Sequence, residues 1–263
     1  MICCIIQART GSTRLPKKVI QKIDSDLTVL DYVINQVKYS KKIEKIVVAT
    51  TDLIEDDSIC KYANLQKIEC FRGSSEDVLD RFYQCAKEND AKDIIRITAD
   101  NPLIDPNIID VIIERYKKEK CDFMTNAIDR TFPYGTEVEI FSFETLEKAW
   151  KMAKKPSERE HVTPFMCEPK NNFRIINVKL KENFSYLRYT VDRIEDLELV
   201  KKIIKNIDER PILMKNIINL YKKNPKLFEV NKHIQHDGYL SALKKDEEYF
   251  KCNKDNKKSI VKD

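Results

Sequence analysis

Strand-like and helix-like segments alternate through the first half of the chain. Apolar runs predict strands at Ile2–Ile6, Lys45–Ala49, Lys67–Phe71, Asp93–Thr98 and Asp122–Met124. Helical spacing predicts helices at Val29–Val37, Asp57–Ala63, Ser75–Glu88 and Ile108–Tyr116. This alternation favours parallel strands joined by crossover helices, and nearly continuous apolar strands indicate that both sheet faces are covered. We therefore predict an α/β fold, a three-layer sandwich with a mostly parallel sheet.

The pattern changes after about residue 125. Further strands are predicted at Gly135–Phe141, Phe173–Val178 and Leu187–Val191, and further helices at Phe143–Lys154, Glu158–Met166 and Glu195–Ile207. Beyond Pro211 the sequence predicts two more helical segments and a polar end. We expect a main domain at residues 1–208 and a helical C-terminal extension at 209–263 that belongs to the same unit.

Composition argues against two classes of protein. The net charge of the 263 residues is only +5, and both signs are mixed along the chain, whereas a nucleic-acid binder usually concentrates its basic residues. No apolar run approaches the roughly 18 residues that a membrane span needs. Met1 leads straight into the first predicted strand without a signal-peptide pattern. We therefore expect a cytoplasmic protein that binds neither nucleic acid nor membrane.

The cysteine pattern agrees with that location. None of the eight cysteines has Cys-x-x-Cys spacing, and several lie inside apolar strand-like runs. Cysteine in such runs behaves as a small hydrophobic residue, and thiols stay reduced in the cytoplasm. We expect reduced cysteines in the core.

A basic loop follows the first predicted strand directly. Its sequence is Gln7-Ala8-Arg9-Thr10-Gly11-Ser12-Thr13-Arg14-Leu15-Pro16-Lys17-Lys18. In open α/β sheets, ligands bind beside loops at the carboxyl ends of strands. The small residues give an anion access to backbone N–H groups, and the Arg and Lys side chains add positive charge. The loop has neither the Walker nor the Gly-x-Gly-x-x-Gly pattern, so on spacing alone an ordinary solvated basic loop stays open.

Two acidic residues stand at the ends of predicted strands. Asp100 lies in the run Thr98-Ala99-Asp100-Asn101-Pro102, and Asp192 lies between a predicted strand and a helix. Carboxylates beside phosphates are ligands that Mg²⁺ prefers. Asp-Asn-Pro is also a common turn, however, and Asp192 would also serve as a helix N-cap. The residues alone leave these alternatives open.

The segment Ile5–Pro16 resembles the opening of the spore coat polysaccharide biosynthesis protein F family of cytidylyltransferases, which is related to the CMP-Kdo and CMP-sialic acid synthetases. The resemblance continues through Ile46–Asp52, Phe71–Arg81, Ile95–Pro106, Phe141–Phe165 and Leu187–Leu199. Lys17 and Ala99 each stand where the family usually has Gly. The resemblance implies a Rossmann-like nucleotidyltransferase fold of the glycosyltransferase-A-like kind.

The resemblance also implies roles for individual residues. The catalytic residues would be Arg9, Arg14, Lys18 and Asp100. The nucleotide would contact Gln7, Ala8, Arg9, Gly11, Ser12, Arg14, Lys18, Arg72, Ser74, Asp80 and Thr98. Asp100 and Asp192 would hold Mg²⁺, and the acceptor would face Glu137, Glu139, Arg159 and His161. A lone His is often only structural, and Ser74 or Ser75 would also serve as a helix cap.

The function implied by the resemblance is transfer of CMP from CTP to an acidic sugar or small phosphorylated acceptor, with release of pyrophosphate, for surface polysaccharide or glycan biosynthesis. A glycosyltransferase is an alternative, but no suitably placed Asp-x-Asp motif supports it. A catalytically inactive nucleotide-binding protein is another, and retention of both Asp100 and Asp192 argues against it. The resemblance further implies a homodimer, formed partly by Cys121–Phe141.

Overall fold

Seven strands form one sheet in the residues that the computed structural model describes, which are 1–234 and 246–247. They are β1 (Ile2–Gln7), β2 (Lys45–Thr51), β3 (Glu69–Gly73), β4 (Asp93–Thr98), β5 (Phe123–Thr125), β6 (Glu139–Ser142) and β7 (Ile175–Asn177). The strand order is β3-β2-β1-β4-β6-β5-β7. Within it, β6 runs antiparallel to both of its neighbours, and the other pairs are parallel. The sheet is therefore mostly parallel, as predicted.

The helices that follow the strands cover both faces of the sheet. They are α1 (Val29–Lys38), α2 (Asp57–Leu65), α3 (Val78–Glu88), α4 (Pro106–Glu119), α5 (Phe143–Met152), α6 (Pro156–His161), α7 (Pro164–Cys167), α8 (Ile194–Asn206) and α9 (Met214–Lys223). Short 3₁₀ turns occur at Lys18–Ile20, Ile54–Asp56, Pro169–Asn171 and Pro225–Asn231.

Alternate residues of β1 show why the fold has three layers. Cys4 and Ile6 pack into a core shared with α1 and α4, whereas Cys3 and Ile5 pack into a second core shared with α3 and α5. Successive side chains of a strand point to opposite faces, so an apolar strand has to be covered on both sides. Full burial of one large aliphatic or aromatic side chain stabilises such a layer by roughly 1.5–3 kcal/mol. The prediction of a three-layer α/β sandwich is confirmed.

A third core joins the C-terminal helices to the rest of the molecule. Residues of α8 and α9 pack with Phe228 and with Val29 at the start of α1. The boundary predicted at residue 208 therefore lies within one packed unit. The polar end of the chain lies outside the described residues, apart from Asp246 and Glu247.

Several predicted elements differ from the observed ones. The segment predicted as the strand Leu187–Val191 forms only an isolated bridge, between Arg188 and Tyr134, so that prediction is wrong. Its apolar side chains face the third core rather than a sheet. The predicted helix Glu158–Met166 is broken at Val162, which has a φ of 70°. The N-cap of α3 is Asp77, not a serine.

The cysteines follow the expectation only in part. Cys3, Cys4 and Cys85 are free and buried. Cys60 of α2 and Cys70 of β3 instead form a disulfide, with Cα atoms 5.3 Å apart. The prediction of reduced cysteines is wrong for this pair, because helix and strand packing brings together residues whose spacing follows no recognised motif. Among the described residues, no helix is long and apolar enough to cross a membrane.

Candidate active site

The strand order places a ligand crevice at the end of β1. From β1 the chain proceeds to β2 and β3 on one side, and then returns to β4 on the other. In open α/β sheets, ligands bind at the carboxyl ends of the strands where the order reverses. Gln7 and Thr98 form the last pair between β1 and β4, and both face a cavity of about 710 Å³.

Most of the predicted catalytic and nucleotide-binding residues line this cavity. The predicted site residues in its wall are Gln7, Arg9, Gly11, Ser12, Arg14, Lys18, Thr98, Asp100 and His161. The wall also contains Thr13, Val19, Arg96, Ala99 and Glu160, which were not predicted as site residues. The basic loop is thus the rim of a cavity and not merely a solvated surface loop.

Buried hydrogen bonds hold the loop after β1. The Asp56 carboxylate accepts from the Thr10 backbone N–H at 2.8 Å and from the Thr10 hydroxyl at 2.6 Å. It also accepts from the Thr51 hydroxyl at 2.5 Å. Burial opposes ionisation, but these hydrogen bonds outweigh it and hold the pKa of Asp56 below its usual value. The loop is therefore anchored to the end of β2 through one buried carboxylate.

Lys17 allows the loop to turn into the 3₁₀ segment that carries Lys18. Its φ of 56° and ψ of 28° are left-handed. Its N–H donates to the Thr10 carbonyl at 3.1 Å, which closes the loop. Glycine adopts this conformation without steric cost, which explains why the resembled family usually has Gly here. The loop nevertheless forms with Lys at this position.

One ammonium group joins the two predicted metal-binding carboxylates. The Lys18 Nζ lies 2.6 Å from Asp100 Oδ2 and 2.7 Å from Asp192 Oδ1. Burial by itself would lower the pKa of Lys18, but the two carboxylates outweigh burial and raise it. Asp100 and Asp192 thus meet at one point, although 92 positions separate them in the chain.

Asp100 is fixed by both its side chain and its backbone. Its Oδ1 accepts from the Thr98 hydroxyl at 2.5 Å, and its carbonyl accepts from the Val191 N–H at 2.8 Å. The second bond links the end of β4 to the segment before α8. That link is why two acids from distant parts of the sequence face the same cation.

Asp192 lies among cations and does not cap α8. It accepts from Arg14 Nη2 at 2.7 Å and from Arg188 Nη2 at 2.8 Å, besides Lys18. Burial opposes ionisation, but Lys18 and the two arginines outweigh it and lower the pKa of Asp192 to about 2. The N-cap of α8 is instead Arg193, whose N–H donates to the Asp196 carboxylate in the first turn of the helix at 3.0 Å. The N-cap alternative for Asp192 is therefore wrong.

The predicted acceptor-binding acids lie behind the cavity wall. Glu139 pairs with Arg96, which lines the cavity, and accepts from the Thr163 hydroxyl at 2.9 Å. Glu137 accepts from Arg130 Nη1 at 2.6 Å and from the Asn101 amide at 3.0 Å. In this structure both acids brace neighbouring segments.

Helix α6 brings His161 to the cavity. Glu160 and His161 line it, whereas Arg159 points away and pairs with Asp77 at the start of α3. The chain reverses at Val162 in a tight turn, in which the Thr163 N–H donates to the His161 carbonyl at 2.8 Å. A positive φ is costly for a β-branched residue, and such strain often occurs at functional sites.

Four predicted nucleotide contacts lie outside the cavity wall. Arg72 pairs with Asp57 and donates to the Leu53 carbonyl at 2.8 Å. Asp80 accepts from the Trp150 indole N–H at 2.8 Å, and Ser74 accepts from the Asp77 N–H at 3.0 Å. Ala8 is buried in the core beneath the loop.

Two arginines that support the site were missed. Arg96 lies inside β4, where the apolar pattern draws attention to its neighbours, and it donates to Gln7 Oε1 at 3.0 Å. Arg188 is almost fully buried and holds both Asp192 and Asp196. A charged residue within an otherwise apolar strand-like run was the available signal, since buried charges are normally paired.

The oxygen donors of the site fit a magnesium ion. Asp100 and Asp192 already share a cation in the form of the Lys18 ammonium. Within residues 1–234 and 246–247, no cluster of three or more His, Cys, Asp or Glu forms a metal site. Magnesium is usually held by one or two carboxylates together with water and substrate phosphates, so a pair is sufficient.

Comparison with known proteins agrees with this arrangement. The model of the family described as cytidylyltransferase matches residues 3–234. The chain belongs to the cytidylyltransferase family. Cytidylyltransferases are nucleotidyltransferases, so the predicted enzyme class is confirmed, as is the resemblance from which it came.

Individual relatives and solved structures support the assignment. The spore coat polysaccharide biosynthesis protein SpsF of Bacillus subtilis is 33% identical over 234 residues, which are 85% of this chain and 95% of that protein. A cytidylyltransferase structure from Leptospira borgpetersenii has 35% identity and a TM-score of 0.83, and covers 89% of this chain and 99% of its own. The structure of CMP:2-keto-3-deoxy-manno-octonic acid synthetase complexed with CTP has 14% identity and a TM-score of 0.61, over 78% and 98% of the two chains. This last likeness shows the shared nucleotidyltransferase fold.

Proposed function

We propose that this cytidylyltransferase transfers CMP from CTP to an acidic sugar or a small phosphorylated acceptor, with Mg²⁺ as cofactor and release of pyrophosphate. The observation that carries the proposal is the meeting of Asp100, Asp192 and Lys18 at the rim of a cationic cavity. A triphosphate needs several positive groups at once, and this rim presents Arg9, Arg14 and Lys18. The CTP bound to the related synthetase fold and the polysaccharide role in the name of SpsF support the choice of substrate class.

The residues suggest how the chemistry would proceed. Arg9, Arg14 and the N–H groups near Gly11 would hold the phosphates of CTP. An oxygen of the acceptor would attack the α-phosphorus in line, so that a new P–O bond forms while the bond to the β-phosphate oxygen breaks and pyrophosphate leaves. A hydroxyl acceptor would release its proton to water. Asp100 and Asp192 would hold Mg²⁺, which supplies charge neutralisation when bound. No protein nucleophile is needed, because positioning and electrostatic stabilisation provide most of the catalysis.

Asp100→Asn tests the proposal. The substitution keeps size and most hydrogen bonding but removes one charged ligand from the proposed metal site. We expect pyrophosphate release with CTP to fall by roughly two orders of magnitude or more, as when other transition-state charge stabilisers are removed. The measurement is pyrophosphate release over a panel of nucleotides and acidic acceptors, with and without EDTA.

Asp110→Asn is the matched control. Asp110 lies on α4 and accepts from the Ser40 hydroxyl at 2.5 Å, away from the cavity, so its substitution should leave activity near wild type. The proposal fails if folded Asp100→Asn protein releases pyrophosphate at the wild-type rate. The cytidylyl assignment fails if ATP or GTP stabilises the protein against heat and CTP does not.

A role in surface polysaccharide or glycan biosynthesis rests on the name of SpsF. A cytoplasmic location and a homodimer stay predictions. Light scattering at micromolar concentration would test the dimer, and a purely monomeric protein would contradict it.

A further inference from the structure

The Lys18 ammonium occupies the point between Asp100 and Asp192 where a bridging cation would be bound. It contacts one oxygen of each carboxylate, at 2.6 Å and 2.7 Å. Its side chain is only 12% exposed, so the contact is enclosed rather than a chance surface pairing. Each of the two carboxylates proposed to hold Mg²⁺ therefore already has a cationic partner within the chain.

The surrounding charges are balanced without any metal. Three basic side chains, Lys18, Arg14 and Arg188, face three acidic ones, Asp100, Asp192 and Asp196. A bare divalent ion entering this cluster would add uncompensated positive charge at close range, where electrostatic repulsion is strong. A divalent ion bound to a triphosphate would instead carry a net negative charge, so it would not add uncompensated positive charge to the cluster.

Phosphate oxygens would also give Lys18 a new partner. Lys18, Arg9 and Gly11 line the same cavity, so a phosphate bound by the loop would share that cavity with the Lys18 ammonium. The lysine stem is flexible and its ammonium is a compact point charge, so it can exchange carboxylate partners for phosphate partners. An arginine fork would be harder to move.

We propose that Lys18 competes with a divalent metal ion for Asp100 and Asp192, so that the ion binds tightly only together with a nucleotide, whose phosphates provide a new partner for Lys18. This inference rests on the proposed function for the identity of the nucleotide. The exclusion of free metal by Lys18 stands on the geometry alone.

Direct binding of Mn²⁺ to the full chain tests the inference. Titration without nucleotide, followed by electron paramagnetic resonance of the free ion, gives the affinity of the metal alone. We expect wild-type protein to bind weakly and Lys18→Met to bind on the order of tenfold more tightly or better, because the substitution removes a competing charge at contact distance. Lys18→Arg keeps the charge and should bind as weakly as wild type.

A double variant locates the metal. Adding Asp100→Asn to Lys18→Met should abolish the gain, because one of the two carboxylates is lost. If Lys18→Met does not fold, Lys18→Gln removes the same charge with a polar side chain of similar length. The inference is overturned if the folded Lys18→Met or Lys18→Gln protein binds Mn²⁺ no more tightly than wild type, or if the double variant keeps the gain.

The same titrations separate this inference from the proposed function. CTP added to wild-type protein should raise Mn²⁺ affinity, because it would bring phosphate partners for Lys18. If ATP raises it and CTP does not, the cytidylyl assignment is wrong, while the role of Lys18 stands. If neither nucleotide raises the affinity for Mn²⁺, the proposed coupling between metal binding and nucleotide binding is overturned.

Discussion

Lys17 shows how one residue sets the geometry of a binding loop. Its left-handed conformation, with a φ of 56°, costs a residue with a Cβ roughly 1–2 kcal/mol. We expect Lys17→Gly to remove that cost. The greater conformational entropy of glycine in the unfolded chain offsets part of the gain, so the net stabilisation should be about 0.5–1 kcal/mol. Chemical denaturation measures the change.

Lys17→Ala is the control, because it removes the same exposed charge but keeps the Cβ. It should leave the free energy of unfolding unchanged or lower it slightly. If both variants stabilise the protein equally, the cause is charge and not backbone conformation.

Individual residues also show what the sequence could and could not predict about the site. The basic loop and Asp100 were identifiable because each follows an apolar strand at its carboxyl end. The bracing roles of Arg188 and Glu139 could not be identified from the sequence, because each depends on a partner that only the tertiary fold brings close. Asp192 was singled out, but its N-cap alternative could be dismissed only once the structure placed Arg193 at the N-cap of α8.

At the scale of elements, the strands of the first half of the chain were predicted well. The bounds predicted for β1, β2 and β4 agree with the structure to within two residues. The predicted strand Leu187–Val191 failed, since its apolar alternation matches burial against α8 and gives no information about pairing. The break at Val162 was missed because a β-branched residue is rarely found at positive φ.

Helix α6 depends on a residue far away in the chain. The Asp246 carboxylate accepts from the Ser157 N–H at 2.9 Å and from the Ser157 hydroxyl at 2.5 Å, at the start of the helix that ends in His161. We expect Asp246→Ala to cost about 1 kcal/mol, as loss of a helix cap does, and to speed amide exchange in Pro156–His161. Hydrogen exchange followed by mass spectrometry measures both the rate and its location.

Glu247→Ala provides the comparison for that experiment. Glu247 is exposed and adjacent to Asp246, so its replacement should leave exchange in α6 unchanged. Equal acceleration by both variants would contradict a specific cap and point to a general loosening of this end of the chain.

For the molecule as a whole, stability in acid depends on buried carboxylates such as Asp56. Hydrogen bonds from Thr10 and Thr51 keep its pKa below the usual value despite burial. Its contribution is therefore fully present above the unfolded pKa of about 3.9, and is lost as pH falls through the lower folded pKa. We expect Asp56→Asn to cost roughly 1.5–3 kcal/mol at pH 7, the usual worth of hydrogen bonds to a charged group.

The difference in the free energy of unfolding between Asp56→Asn and wild type should shrink below pH 4, where the wild-type carboxyl also becomes neutral. Thermal melts across pH 2.5–7 measure it. A difference that stays constant across that range would show that shape, and not charge, accounts for the loss.

The position of β6 has a consequence for synthesis on the ribosome. This strand lies between β4 and β5, yet both of those strands precede it in the chain. Until residues 139–142 leave the exit tunnel, the nascent chain carries a β4 whose outer edge has no native partner. Unpaired strand edges are sites at which chains aggregate or pair incorrectly. The nascent protein is thus exposed to misassembly in the interval between the appearance of β4 and that of β6, and a chaperone that covers this edge would protect it then.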